Sequence, residues 1–285
     1  MSVAARRAFL RLARRATPYL GVERHGSMFV VSTGDGGVGR TAFLSGANPE
    51  FAALDRAIVL LRERGQAQPG SVFVDVGANI GTTTVPALAR HGFGRALAFE
   101  PEPENVPLLR ANVALNGLDE RVVVVPAAVS EAPGRSSFGR GTHTRRGRRA
   151  GAGGLARRGD ERVEVDVVTL DESLAAHAIA PEEVGLVWID VQGHEGHVLA
   201  GAARLLAARP PVVVALRPRK LAKAGGRELL LESLDGYDAL LDLRDPAADV
   251  RDADELEALL RGGAATDVVA FRTGPARAGA GESAG

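Results

Sequence analysis

The chain has 285 residues, 45% of them hydrophobic and 25% charged, which is enough to bury a full core in one or two domains. Lysine plus arginine equals aspartate plus glutamate at 35 each, so no global field favours nucleic acid, and charge is informative only locally. Cysteine is absent, which excludes disulfides and thiolate metal sites.

The first 20 residues carry Arg6, Arg7, Arg11, Arg14 and Arg15 among Leu, Phe and Ala, which interrupts any signal-peptide core. No stretch reaches the ~20 apolar residues of a membrane span, so a cytoplasmic location is the default expectation. A basic amphipathic helix on a membrane surface is one reading of this segment. A solvated helix packed on the main domain, or a partly disordered one, is preferred. Residues 28–33 and 40–44 are short apolar runs around a Gly/Asp segment, a pattern that predicts a β-hairpin.

The same stretch, MFVVSTGDGGVGRTAFL, imitates the phosphate-binding loop of a GTPase, and Asp190-Val-Gln-Gly193-His-Glu195 imitates a second element of that class. Arg40 stands where a lysine point charge is needed, and its planar head is no simple replacement. The turn-rich AFLSGANP after Gly39-Arg40-Thr41 leaves no room for the required helix. No Asn-Lys-x-Asp element occurs, and the two fragments lie about 150 residues apart. The GTPase reading is rejected.

A helix is predicted from Asn48-Pro49-Glu50 to about Arg64, with Leu54, Ile58 and Leu61 on one face. From residue 71, apolar runs alternate with helical stretches: SVFVDV, RALAFE, RVVVVP, GLVWID followed by a helix to Ala207, and PPVVVAL. YDALLDL and TDVVAFR, with a helix at about 252–261 between them, close the set. Runs buried on both faces and separated by helices predict an α/β fold with a doubly wound, mostly parallel seven-stranded sheet, one strand antiparallel. Residues 1–70 form a helix/hairpin extension packed on the core, 71–273 the main domain, and 274–285 a disordered tail. Residues 134–159 hold eight arginines and no acid, which predicts a mobile surface loop. Solvation is its preferred reading, contact with an anionic substrate the next. Nucleic acid comes last, since no basic fold or aromatic platform supports it. His143 within it is read as a solvated loop histidine.

The strongest motif is Val72-Phe-Val-Asp75-Val-Gly77-Ala-Asn79-Ile-Gly81, followed by Ala96-Leu-Ala-Phe-Glu100-Pro101. Strand, glycine loop and helix come in order, and an acid ends the next strand 19 positions after Gly81. In doubly wound sheets that acid binds the ribose hydroxyls of an adenosine-containing cofactor. The loop is Gly-x-x-x-Gly with Asp75 before it. An acid there repels pyrophosphate and favours a cationic ammonium or sulfonium, so S-adenosylmethionine fits better than NAD.

VFVDVGANIG, AFEPEPENVPLLRANVALNGL, VVPAAVS, TLDESL and IDVQGHEGHVLAGAARLL together resemble the FkbM family of S-adenosylmethionine-dependent methyltransferases, over about residues 25–272. The resemblance implies a class I methyltransferase (Rossmann-like) fold. It also implies methylation of a hydroxyl oxygen on a small-molecule acceptor: a sugar, a polyketide or another secondary metabolite. It places Asp75, Gly77, Asn79 and Gly81 at the methionine side, Glu100 on the ribose, and Ala127 and Ala128 along the adenine. Asp190, ending the fourth strand, faces the methyl group and the acceptor. Where the family usually reads Lys-Ile-Asp-Val-Glu-Gly-x-Glu, this chain has Trp188-Ile-Asp190-Val-Gln192-Gly-His194-Glu195, and Arg217 follows the fifth strand where many members carry Glu.

Methyl transfer needs near-attack geometry and, for a hydroxyl, a base. His194 is the candidate base, with Asp190 or Glu195 orienting it; a merely solvated residue at a helix start is the plainer alternative. A divalent metal on His194, Glu195 and His197 is not favoured, because these histidines are three apart rather than four. Two rival functions are a catalytically silent S-adenosylmethionine-binding protein and an NAD-dependent oxidoreductase, the latter disfavoured by the loop. Trp188 points to the same side of its strand as Asp190, with core packing as its preferred role.

Overall fold

The computed structural model describes residues 2–34, 37–44, 49–140, 154–155 and 161–273. Helix α1 (Val3–Ala13) is capped by Ser2, whose Oγ accepts from the Ala5 amide, and it buries Leu10 and Ala13. Strands β1 (Tyr19–Arg24) and β2 (Ser27–Ser32) form an antiparallel hairpin. Its two-residue turn, His25-Gly26, has φ of 51° and 79°, the positive values that the tightest hairpin turns require.

The hairpin expected between 28–33 and 40–44 is therefore corrected. The partner of β2 lies upstream, and Val38–Leu44 is helix α2, burying Gly39, Ala42 and Leu44. The objection that no helix follows the glycine-rich stretch falls with it. What separates β2 from a phosphate-loop strand is its place in a two-stranded antiparallel sheet instead of the parallel one. Helix α3 (Pro49–Arg62) turns Leu54, Ile58 and Leu61 into the core, as its periodicity predicts.

The main body continues with β3 (Val72–Val76), α4 (Thr84–Ala89), β4 (Arg95–Phe99), α5 (Asn105–Leu115) and β5 (Val122–Val125). Next come β6 (Ala128–Val129), β7 (Gly134–Arg140), β8 (Gly154–Leu155), β9 (Glu161–Val168) and α6 (Leu170–Ala176). The chain then runs through β10 (Val184–Ile189), α7 (Glu195–Ala200), α8 (Ala203–Ala207), β11 (Val212–Leu216), α9 (Pro218–Ala224) and α10 (Arg227–Ser233). It closes with β12 (Ala239–Asp242), β13 (Arg251–Asp252), α11 (Leu256–Gly262) and β14 (Thr266–Phe271).

The central sheet has the order β13-β12-β14-β11-β10-β3-β4-β5. All seven predicted strands lie in it, β14 runs antiparallel to both neighbours, and the two-residue edge strand β13 makes eight among the described residues. Alternation along β3 divides two cores: Val72, Val74 and Val76 pack with Ile189, Val198 and Val214 on one face. Phe73 packs on the other with Trp188, Val213 and the α3 residues Phe51 and Leu54, so the extension and the main body share one core.

Two further expectations are corrected. Residues 134–140 are not loop: β7 pairs with β9 through seven residue pairs in a separate four-stranded sheet of order β6-β9-β7-β8. Alternating valines explain it, since Val165 and Val167 of β9 bury one face and leave Arg135 in solvent opposite Asp166. Residues 141–153 and 156–160, including His143, and the tail 274–285 lie outside the described residues. The single helix expected up to Ala207 is two, α7 and α8, broken at Gly201, where a Cβ would stand 2.2 Å from the Ser130 carbonyl oxygen. No helix among the described residues is long and apolar enough to cross a membrane.

Candidate active site

The carboxyl edge of the sheet collects the residues singled out in the sequence. After β3 the chain turns sharply at Gly77, with φ +89°, and the Gly77 and Ala78 amides both donate to the Phe99 carbonyl at 3.0 and 2.9 Å. A Cβ on Gly77 would lie 2.4 Å from the carbonyl oxygen of Asp190, so only glycine lets the loop pass β10. Asn79 (φ +52°) and Gly81 (φ +89°) complete the loop. The Asn79 amide donates to Glu100 Oε2 at 2.8 Å. Glu100 Oε1 accepts from the Glu102 amide at 2.8 Å and from Asn105 Nδ2 at 3.3 Å. Burial pushes the Glu100 carboxyl up to about 7, against these three donors.

Asp75 is fully buried beneath the loop. Its Oδ2 accepts from the Thr83 and Thr84 hydroxyls at 2.6 and 2.5 Å, and its Oδ1 has no partner. Burial moves its pKa up to about 6. These threonines belong to no predicted site, and the Thr82-Thr83-Thr84 run after the glycine loop is their one signal in the sequence. Asn112 of α5, likewise not predicted, ties the extension to the loop: Oδ1 accepts from the Val30 amide at 2.6 Å, and Nδ2 donates to the Ile80 carbonyl at 2.8 Å. Ala127 is buried just beyond β5, and Ala128 opens β6.

On the other half of the edge, Asp190 follows β10, and its Oδ1 accepts from Gln192 Nε2 at 2.8 Å. Burial raises the Asp190 carboxyl, and Arg217 opposes that shift. Arg217 and Arg244 share the buried Asp267, Nη1 to Oδ1 at 3.2 Å and Nε to Oδ2 at 2.6 Å. Arg217 thus meets a carboxylate from β14, a partner 50 residues away that no local motif announces. Trp188 is buried in the core, in register with Asp75.

His194, Asp190 and Glu195 are close in sequence but have separate partners. His194 Nε2 bonds Ser130 Oγ at 2.9 Å, its Nδ1 is buried without a partner, and its ring stacks on His197 at 4.4 Å. Burial pushes the His194 imidazole down to about 4, and His197 adds to the shift. Glu195 is buried with Oε1 on the Gly193 amide at 2.9 Å and Oε2 unpartnered, and burial lifts it to about 7. Both ring nitrogens of His197 are engaged, with Glu131 and with the Ala224 carbonyl. Among the described residues no group of three or more His, Asp or Glu side chains could hold a metal.

The strand order β12-β14-β11-β10-β3-β4-β5 with β14 reversed, and a glycine loop between β3 and α4, define a class I methyltransferase fold. Residues 75–245 match the family described as Methyltransferase FkbM domain, and the chain belongs to that family. The 31-O-demethyl-FK506 methyltransferase FkbM of Streptomyces tacrolimicus is 34% identical over 167 residues, covering 50% of this chain and 63% of that protein, so the match spans less than two thirds of the relative. Among solved structures, M. jannaschii TYW2 in complex with AdoMet is 15% identical, covers 89% of this chain and 85% of that one, and has a TM-score of 0.44. Precorrin-6y C5,15-methyltransferase from Geobacter metallireducens is 14% identical, covers 76% and 88%, and has a TM-score of 0.40. Neither likeness is strong enough to carry function.

Proposed function

We propose that the protein is an S-adenosylmethionine-dependent methyltransferase that acts on a hydroxyl oxygen of a small-molecule acceptor, a sugar, polyketide or other secondary metabolite. The observation that carries this reading is the loop Gly77–Gly81 braced by the buried Glu100 carboxylate at the carboxyl edge of β3 and β4. The name of the Streptomyces relative, an O-demethyl-FK506 methyltransferase, supports a hydroxyl acceptor. The residues suit the cofactor: Asp75 keeps one buried oxygen unpaired on the methionine side, and Glu100 Oε2, which among the described residues accepts only from the Asn79 amide, has a site left for a ribose hydroxyl. Bound S-adenosylmethionine supplies a methyl group activated by its sulfonium.

This chain's own residues hold the acceptor in line and receive its proton. Asp190, rather than His194, is the better base. Its backbone carbonyl abuts Gly77 of the glycine loop, and burial raises its carboxyl, which makes it a stronger base than an ordinary aspartate. His194 is a weak base held by Ser130. Titration with S-adenosylmethionine and with NAD, followed by Trp188 fluorescence and calorimetry, tests the reading. Saturable binding of the former alone is expected, weakened about 10- to 100-fold in Glu100→Ala. Binding of NAD, or none of S-adenosylmethionine, overturns it.

A further inference from the structure

Gln192 and Lys220 meet in space beside Asp190, although 28 residues separate them in the chain. In the folded chain Gln192 bridges Asp190 to this lysine: its Nε2 donates to Asp190 Oδ1 at 2.8 Å, and its Oε1 accepts from Lys220 Nζ. Only one amide orientation satisfies both partners, because a carboxylate only accepts and an ammonium only donates. The backbone is shaped for this bridge. Gln192 has φ +61°, and Gly193, at φ +109°, lies against Lys220 so closely that a Cβ would stand 2.7 Å from its carbonyl carbon.

A glutamate at 192 would accept from Lys220 but has no proton to donate to Asp190, and it would set a second carboxylate against the first. Glutamine removes that repulsion and transmits the lysine's charge through its amide. The other charged groups around Asp190 are Arg217, Arg244 and Asp267 from the neighbouring strand ends, with Asp75 and Glu195 behind it.

We propose that Gln192 and Lys220 are positioning residues, a hydrogen-bonded relay that aims the Asp190 carboxylate into the cleft and holds it ionised. The significance of the relay rests on the reading of Asp190 as the base, but its test does not. The Asp190 carboxyl is titrated by carbon NMR in the full ligand-free chain labelled at aspartate Cγ, with its signal identified by Asp190→Asn. Gln192→Leu and Lys220→Met raise its midpoint by about one pH unit, Gln192→Glu raises it further, and Lys220→Arg stays within about 0.3 of the parent. Circular dichroism identifies a variant that has unfolded, in which case the Lys220→Met and Lys220→Arg pair decides. An unchanged midpoint in folded Lys220→Met overturns the relay. Loss of S-adenosylmethionine binding in the parent chain would instead overturn the methyltransferase reading and leave the titration result standing.

Discussion

Along the carboxyl edge of the sheet, the half around β3 and β4 is closed mainly by backbone, whereas the half around β10, β11 and β14 is closed mainly by side chains. Glu100 meets two amides and one side chain, and the amides of the glycine loop bond a strand carbonyl. Across the edge, Asp190, Gln192, Lys220, Arg217, Asp267 and Arg244 satisfy one another through side chains. Backbone contacts do not depend on side-chain identity but demand particular φ values and small residues. Side-chain contacts can be exchanged in pairs. One half therefore tolerates few substitutions, whereas the other can accept paired exchanges of side chains.

Substitutions on each side sharpen that contrast. Gly77→Ala adds both a left-handed strain and a collision with the Asp190 carbonyl, and should cost about 3 kcal/mol or more in urea unfolding. A loss below about 1 kcal/mol would show that the loop is not built as described. Glu100→Gln tests the same half through pH. A carboxyl whose pKa rises from 4.5 unfolded to about 7 folded stabilises fully below about 4.5, and this contribution is lost as pH rises through about 7. The parent should therefore lose up to about 3 kcal/mol relative to Glu100→Gln between about pH 4.5 and 7.5, with no further change above. A pH-independent difference in thermal stability between the two would contradict the burial described.

On the other half, Asp267→Ala strands two part-exposed guanidiniums and should cost about 2 kcal/mol, less than a fully buried pair because solvent reaches both arginines. Thermal unfolding of Asp267→Ala beside Arg244→Ala checks that the carboxylate is the larger loss. Arg135→Ala, in the four-stranded sheet, removes an exposed ion pair of 3.7 Å to Asp166 and should change stability by less than about 0.5 kcal/mol.

The legibility of the sequence follows the same division. Asp75, Gly77, Asn79, Gly81 and Glu100 stand out because strand, glycine, helix and acid succeed one another within 26 residues of chain, from 75 to 100. The seven central strands stand out as runs of branched residues buried on both faces. The Gln192–Lys220 and Arg217–Asp267 contacts join residues 28 and 50 positions apart, and only the packing of α9 and β14 brings them together. The four-stranded sheet is hidden in the sequence because Gly134-Arg-Ser-Ser-Phe-Gly-Arg140 has a loop's composition. Its strand signal lies in the alternating Val163, Val165 and Val167 of the partner. The glycine-rich stretch after β2 drew the hairpin to the wrong place, while the short His25-Gly26 turn set the true one.

The carbonyl of Asp190 occupies the volume that a side chain on residue 77 would need, and this limits how the protein can be re-engineered. Grafting a foreign turn over residues 190–195 would displace that carbonyl and disturb the glycine loop along with the turn itself. Changes confined to the side chains of Arg217 and Arg244 leave the contact untouched, so the side-chain half can be varied there without moving the loop.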